Sequence, residues 1–143
     1  MSRTKLGVLV AVVSVLLAGV YAAETPAPPR LPFSPTRQAG GTLYVSGQLP
    51  RTPAGEEVHG TIEDESRQVM ENVGRLLKEK GYTFDDVVSA TVYLKDMADY
   101  QKMNQVYGSY FNGIYPTRAC VGGLQLAFDF RVEISCIAYR EAH

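Results

Sequence analysis

The chain has 143 residues, a formal net charge of −1, 45% hydrophobic residues and 20% charged residues, which is ordinary for one folded domain. This composition excludes an extensively disordered chain and a collagen-like chain. Removal of residues 1–22 takes away Arg3 and Lys5, leaving 12 of the 14 basic residues against 15 acidic ones and a net charge of −3. That balance argues against a basic protein that binds nucleic acid through its phosphates.

The first 23 residues have the pattern of a secretory signal peptide. Arg3 and Lys5 precede an apolar run over residues 6–20, and small or aliphatic residues follow at a signal-peptidase site. The run is somewhat short for a transmembrane helix, which needs about 20 apolar residues, so an uncleaved membrane anchor is the less favoured alternative. We predict cleavage after Ala22 or Ala23, export of the protein, and no stable membrane association after cleavage.

Residues 24–35 hold five of the eight prolines of the chain. Proline fixes φ and lacks a backbone donor, so this segment forms neither a regular helix nor a central strand. We interpret it as an extended, proline-rich linker. The folded domain is then predicted over residues 36–143.

The first half of this domain predicts a strand followed by a long helix. Residues 42–46 are rich in β-branched and aromatic side chains, which is typical of a strand. After a loop rich in glycine and proline, Thr61 has the position of a helix N-cap and Gly81 that of a left-handed C-terminal cap. One helical face between the two caps is apolar or small, and its members are Ile62, Ser66, Val69, Met70, Val73, Leu76 and Leu77.

The second half predicts three strands and one more helix. The nearly continuous apolar run at residues 87–94 indicates a strand that is buried on both faces. Asp96 or Asp99 is expected to cap a second helix, and strands are predicted at about residues 117–126 and over residues 132–139. The apolar stripe of the second helix comprises Tyr100, Met103, Tyr107, Tyr110 and Phe111, with Asn104 beside it.

This order of elements predicts an α+β fold with two helices packed on one face of a sheet. The predicted elements supply no third layer for the opposite face of so small a sheet. We therefore expect another subunit to cover that face.

Few residues belong to a recognisable chemical motif. The two histidines, His59 and His143, have no spacing that suggests a metal site or a catalytic triad, and we interpret them as solvated. Arg118 and Glu133 each lie in a predicted strand, where a charge is costly unless it is paired or faces a cavity. Arg118 has the planar fork that suits a carboxylate, and Glu133 is either its partner or a general base for water. A purely structural Arg–Glu pair at a subunit interface stays open as the alternative.

The two cysteines are Cys120 and Cys136. In an exported protein two cysteines can form a disulfide. If Arg118 and Glu133 face one cavity, alternation along the strands puts Cys120 on that side of the sheet and Cys136 on the other. A disulfide does not reach across a sheet, so this reasoning predicts two free thiols.

The motif Pro116-Thr117-Arg118-Ala119-Cys120-Val121 and several shorter blocks resemble the RidA (YjgF) family of reactive imine and enamine deaminases. The match extends over most of the chain after the predicted signal peptide. The other blocks are residues 44–50, 71–73, 85–88, 91–97, 103–104, 106–107, 110–111, 132–134 and 137–138.

The resemblance implies a chorismate-mutase-like α+β fold and a homotrimer with clefts between its subunits. It also implies hydrolysis of 2-imino acids, such as 2-iminobutanoate and 2-iminopropanoate, to 2-keto acids and ammonia, without a metal or an organic cofactor. The family's carboxylate-binding arginine falls on Arg118 and its water-activating glutamate on Glu133. Its cleft serine, asparagine and cysteine fall on Ser46, Asn104 and Cys120, and Cys120 is expected to be a wall of the site because no histidine can activate it.

The sequence also departs from the family pattern at three places. Phe33 stands where the family often has a tyrosine, so any hydroxyl contact from that position is absent. The pair Gly122-Gly123 is expected to loosen the strand that contains Arg118. The pair Ala127-Phe128 stands near a usual Leu-Pro, which predicts a different hairpin before residue 132 and a different rim of the cleft.

Two other functions stay open from the sequence. The first is a trimer that binds small ligands, or acts like a chaperone, and has lost turnover; export favours it. The second is an endoribonuclease or translation inhibitor, an activity often ascribed to the RidA family. The acidic balance and the lack of a basic stretch interleaved with aromatic residues argue against this second alternative.

Overall fold

The computed structural model describes residues 31–141 of the chain. The predicted signal peptide, the first part of the predicted linker and His143 lie outside these residues. Within them, no helix is both long enough and apolar enough to cross a membrane.

Five strands form one sheet, and both helices pack on the same face of it, which confirms the predicted α+β fold. The strands are ordered β1-β2-β5-β3-β4, and all neighbours are antiparallel except β3 and β4, which are parallel. The elements are β1 Thr36–Ala39, β2 Thr42–Gln48, α1 Ile62–Glu79, β3 Val87–Leu94, α2 Tyr100–Gly108, β4 Thr117–Val121 and β5 Val132–Tyr139.

Helix α1 begins and ends as its sequence predicts. The Thr61 hydroxyl accepts the backbone N–H of Asp64, and the Asp64 carboxylate accepts the N–H of Thr61, which together form a capping box. Gly81 follows the helix with φ +79°, a conformation that glycine adopts without strain. All seven residues of the predicted apolar face are buried against β2, β5 and α2.

The sheet buries one face and leaves the other open within a single chain. On β3, Ala90, Val92 and Leu94 are buried under the helices, whereas Thr91 and Tyr93 are partly exposed. The prediction that β3 is buried on both faces is therefore wrong for one chain, because no second layer covers the open face in residues 31–141. Three large side chains on that face are about half exposed, namely Tyr44, Val121 and Tyr139.

Two strands differ from their predictions. The sequence gives little sign of β1, because its residues are polar and mostly exposed at the edge of the sheet. Strand β4 ends at Val121, five residues earlier than predicted. Gly122 and Gly123 follow it, and Gly123 has φ +75°, so the strand ends at the glycine pair.

Candidate functional site

The strand register places Arg118 and Glu133 on opposite faces of the sheet. Ala90 of β3 lies opposite Arg118 on one side and Cys136 on the other, so Arg118 faces the helices. Tyr93 lies opposite Glu133, so Glu133 is on the open face. The premise that Arg118 and Glu133 share one cavity is therefore wrong for a single chain. Each residue belongs to a separate half of the candidate site.

The first half is built around the Arg118 guanidinium, which contacts the neutral side chains of two tyrosines. Its carbon lies 4.8 Å from the ring centroid of Tyr107 and 5.6 Å from that of Tyr100. Its Nη2 donates a hydrogen bond of 3.2 Å to the Tyr100 hydroxyl. None of the eight ion pairs found in residues 31–141 involves Arg118. A half-buried cation without a carboxylate partner is suited to an anionic ligand.

Beside Arg118 an open groove of about 320 Å³ runs between α2 and the start of β4. Two of its polar atoms, Asn104 Oδ1 and the Tyr107 hydroxyl oxygen, are buried and have no hydrogen-bond partner among the described residues. Burial raises the pKa of Tyr107 to about 12, so its hydroxyl stays neutral. Since buried polar atoms are normally paired, these two atoms are suited to hydrogen bonds with a ligand or water. The groove is lined by Asn104, Tyr107, Gly108, Tyr115, Pro116 and Arg118.

The two cysteines share the helix-facing side of the sheet, which corrects the predicted placement. Cys120 lies opposite Val92 and Cys136 opposite Ala90, and β3 separates them. Two strand spacings amount to about 10 Å, beyond the Cα separation that a disulfide spans. Both thiols are free in the structure, for this reason and not because they point to opposite faces.

Cys120 packs against the hydrophobic core next to Arg118. Burial raises the pKa of its thiol, although the nearby Arg118 charge opposes that change. A thiol with a raised pKa stays protonated at neutral pH and is a poor nucleophile. Cys120 is not among the residues that line the groove beside Arg118, so its role as a wall of the site stays a prediction.

The second half of the site lies on the open face and centres on Glu133. A side chain at Gly47 would collide with the Glu133 carboxylate, because the backbone of β2 passes directly beside it. The β2–β5 register shifts between Val45 and Gln48, so the chain bulges at this contact. Burial raises the pKa of Glu133, which forms no ion pair in the described part of the chain.

Ser46 precedes Gly47 near the end of β2, and Phe33 lies just before β1, the edge strand that pairs with β2. The Ser46 hydroxyl donates to the carbonyl of Ser34 at 2.7 Å, and its N–H donates to the carbonyl of Pro35 at 3.0 Å. Ser46 therefore ties the end of the predicted linker to β2. Phe33 is 59% exposed and precedes that contact.

The predicted hairpin before β5 is wrong, because β3 lies between β4 and β5 in the sheet; the connection before β5 nevertheless has an unusual backbone. Phe128 and Asp129 both have positive φ, 58° and 60°, although neither is glycine. The Arg51 guanidinium lies 3.8 Å from the ring centroid of Phe128, and Lys95 forms an ion pair of 2.7 Å with Asp129. These contacts hold the strained turn, which leads directly into the strand that contains Glu133.

Sequence reasoning missed three residues of the site: Tyr100, Tyr107 and Gly47. Tyr100 and Tyr107 were assigned to an apolar helix stripe. Their i, i+4, i+7 spacing with Asn104 is the signal that places all three on one face of α2. Gly47 lies in the block of residues 44–50, but nothing in the sequence marks its role, because that role depends on the β2–β5 register.

Comparison with known proteins decides the family. The family model described as endoribonuclease L-PSP matches residues 24–140, nearly the whole chain after the predicted signal peptide. The chain belongs to the endoribonuclease L-PSP family, which is the RidA (YjgF) family. One similar member, a RutC family protein of Pyrococcus horikoshii, is 46% identical over 111 residues, covering 77% of this chain and 88% of the relative.

Other RidA-family members resemble the chain in sequence and in structure. The mouse 2-iminobutanoate/2-iminopropanoate deaminase is 40% identical over 75% of this chain and 80% of its own. Yeast Mmf1 has a TM-score of 0.75 at 34% identity, with 80% of this chain and 91% of that chain covered. Escherichia coli TdcF, solved with bound serine, has a TM-score of 0.75 at 31% identity, with coverages of 79% and 91%.

Proposed function

We propose that the protein hydrolyses reactive 2-imino acids to 2-keto acids and ammonia. The observation that carries this proposal is the half-buried Arg118 guanidinium, which faces a groove with no acidic partner among residues 31–141. A planar guanidinium binds a carboxylate through two parallel hydrogen bonds. Asn104 Oδ1, buried and unpartnered beside it, can accept the N–H of an imine on the same substrate.

Glu133 supplies the other group that this reaction needs. The imine carbon is electrophilic, so water adds to it once a base removes a proton from the water. The C–O bond forms as the C=N π electrons move to nitrogen, which gains a proton and yields a carbinolamine. The carbinolamine then forms the C=O bond and expels ammonia. A carboxylate whose pKa is raised by burial is a stronger base for the first step than an ordinary one.

We propose that the complete site forms between subunits of a homotrimer, because Arg118 and Glu133 cannot meet within one chain. The Arg118 groove opens at the edge strand β4, and the Glu133 half lies on the open sheet face of the neighbouring copy. That face carries half-exposed Tyr44, Val121 and Tyr139, which a subunit contact would bury.

Two relatives support the same chemistry. The mouse and bovine proteins named 2-iminobutanoate/2-iminopropanoate deaminase are 40% and 41% identical to this chain. The name of the matched family model points instead to RNA cleavage. The acidic charge balance offers nothing that would recruit a phosphate backbone, so we favour the deaminase.

The decisive experiment measures 2-keto acid release when a dehydratase generates 2-iminobutanoate in situ. We expect the protein to accelerate release above the spontaneous rate. Arg118→Ala should lower kcat/KM about 10- to 100-fold, the equivalent of a charge-assisted contact of about 1.5–3 kcal/mol. Arg75→Ala is the matched control, since Arg75 is exposed on α1 and forms an ion pair with Glu79, away from the groove.

A kcat/KM of Arg118→Ala equal to that of the parent protein would refute the proposed role of this residue. If the assembled trimer binds 2-keto acids but does not accelerate imine hydrolysis, ligand binding without turnover would be the favoured function. RNA cleavage that follows the trimer through chromatography and is lost in Arg118→Ala would favour the ribonuclease.

The shared site has its own test. Arg118→Ala and Glu133→Gln should each have strongly reduced activity, but a mixed trimer should restore some clefts because one subunit supplies an intact arginine and its neighbour an intact glutamate. We expect activity to rise above that of either variant after the two are unfolded and refolded together. Mixtures that are no more active than the separate variants, although mass spectrometry shows mixed trimers, would contradict a site shared between subunits.

We also propose that the chain is exported and that the mature protein begins near residue 23 or 24. The support is the basic and apolar pattern of residues 1–20. The intact mass of the protein purified from its native host should lack the first 22 or 23 residues. A mass that includes Met1 would refute cleavage.

A further inference from the structure

We propose that Tyr100 is a positioning residue that fixes the Arg118 guanidinium for carboxylate binding. The inference rests on the proposed function and adds to it a residue that the family motif does not include. It comes from the contacts of one side chain at the start of α2.

Tyr100 provides the only hydrogen bond that the Arg118 side chain forms with the described residues. Arg118 Nη2 donates to the Tyr100 hydroxyl at 3.2 Å, while the Tyr107 ring lies under the guanidinium at 4.8 Å. A ring face offers the guanidinium no directional acceptor, so this contact alone does not fix where its N–H groups point. A hydrogen bond at one nitrogen orients the guanidinium, and the remaining N–H groups then point in a fixed direction.

The backbone that carries Tyr100 is itself held firmly. The short turn Met97–Asp99 precedes it, and the Asp96 carboxylate accepts the N–H of Ala98 at 2.8 Å. Asp99 forms an ion pair of 2.9 Å with Arg131, the residue immediately before β5. The Tyr100 hydroxyl is therefore attached to a turn that is tied to the sheet, and it can serve as a fixed acceptor.

A neutral acceptor has a specific advantage at this position. A carboxylate in place of the hydroxyl would also orient Arg118, but it would neutralise the charge and compete with the carboxylate of the substrate. The phenol orients the guanidinium and leaves its charge for the ligand. This difference separates a positioning role from a structural ion pair.

The first test compares Tyr100→Phe with the parent protein in the imine hydrolysis assay. The variant keeps the ring and loses the hydroxyl, so we expect KM to rise about tenfold with kcat within about twofold. Tyr110→Phe is the matched control, because Tyr110 is a partly buried tyrosine outside the groove whose hydroxyl donates to the backbone carbonyl of Arg67. An unchanged KM for Tyr100→Phe would overturn the proposal, and so would an equal loss in both variants.

A binding measurement separates this inference from the proposed reaction. Calorimetry with 2-oxobutanoate should give a Kd about tenfold weaker for Tyr100→Phe, whether or not the protein turns over imines. If the parent binds 2-oxobutanoate but hydrolyses no imine, the proposed reaction fails. The difference in Kd between the parent and Tyr100→Phe then decides whether Tyr100 positions Arg118. If the parent neither binds nor hydrolyses, both fail.

The final test measures whether the effect of Tyr100→Phe on 2-oxobutanoate binding depends on the residue at position 118. A lysine at position 118 keeps the charge but lacks the planar fork, so its orientation matters less. Tyr100→Phe should therefore weaken 2-oxobutanoate binding by less than threefold in an Arg118→Lys background. Equal effects of Tyr100→Phe in both backgrounds would show that Tyr100 acts independently of Arg118 and would overturn the inference.

Discussion

Gly47→Ala tests whether the position of the Glu133 carboxylate matters for activity. A Cβ built on Gly47 lies 2.9 Å from Glu133 Cδ and collides with Oε1. Ordinary contact begins at 3.4 Å, so Cδ must move by about 0.5 Å and Oε1 by more. Since misplacement of a reacting group by about 1 Å can cost about 100-fold, we expect a loss of that order in kcat/KM.

The fold should tolerate the same change. The obstructing atoms are the end of a flexible side chain, and φ of Gly47 lies outside the left-handed region that disfavours alanine. We expect the free energy of unfolding to change by less than about 1 kcal/mol, because alanine also lowers the entropy of the unfolded chain. Imine hydrolysis and thermal unfolding, measured on the same assembled sample, separate the two effects.

The double variant Gly47→Ala/Glu133→Gln completes this test. If the alanine acts only by displacing the carboxylate, the double variant should be no less active than Glu133→Gln alone. Full activity in Gly47→Ala would refute the reasoning, because the carboxylate would then work equally well from a displaced position. Additive losses would show that Gly47 matters for a different reason.

Three further results are expected. Burial raises the pKa of Glu133 above 4.5, and a base works only when deprotonated, so kcat/KM should fall as the pH drops through an inflection above 4.5 that is missing in Glu133→Gln. The same raised pKa means that the folded state binds the proton more tightly than the unfolded chain does. The free energy of unfolding should therefore decrease as the pH rises through that inflection, and chemical unfolding at several pH values should show this. Burial raises the pKa of Cys136 to about 12, so a thiol reagent should modify Cys120 first in the native protein and both cysteines after denaturation; equal native rates would contradict the packing. Thr61→Ala removes the capping box of α1 and should cost about 1 kcal/mol in denaturant unfolding, whereas no change would show that the cap contributes nothing.

The elements with strong local signals could be predicted from the sequence. The bounds of β3 and β5 agree with the predicted strands, because apolar residues alternate or cluster within them and turn residues flank them. The caps of α1 at Thr61 and Gly81 were equally clear. Strand β1 was missed since its polar residues resemble those of a loop, and it is held by pairing with β2.

The relative orientation of the site residues could not be predicted. Alternation along one strand says which residues share a face, but only the pairing of β4 and β5 with β3 relates the faces of Arg118 and Glu133. Tyr100 was assigned to the core for a similar reason. The proposed role of its hydroxyl depends on the parallel strand β4, which brings Arg118 within hydrogen-bond distance of the first turn of α2.

The absence of an acidic partner for Arg118 within residues 31–141 also limits how selective its groove can be. A guanidinium that no internal carboxylate neutralises binds the carboxylate of a 2-keto acid as readily as that of the imine from which it forms. In the proposed reaction, release of product would then depend on the loss of the N–H contact at Asn104 and on the apolar walls, not on the charge. Product inhibition, and competition from small anions such as acetate, would be a direct cost of keeping this arginine unpaired.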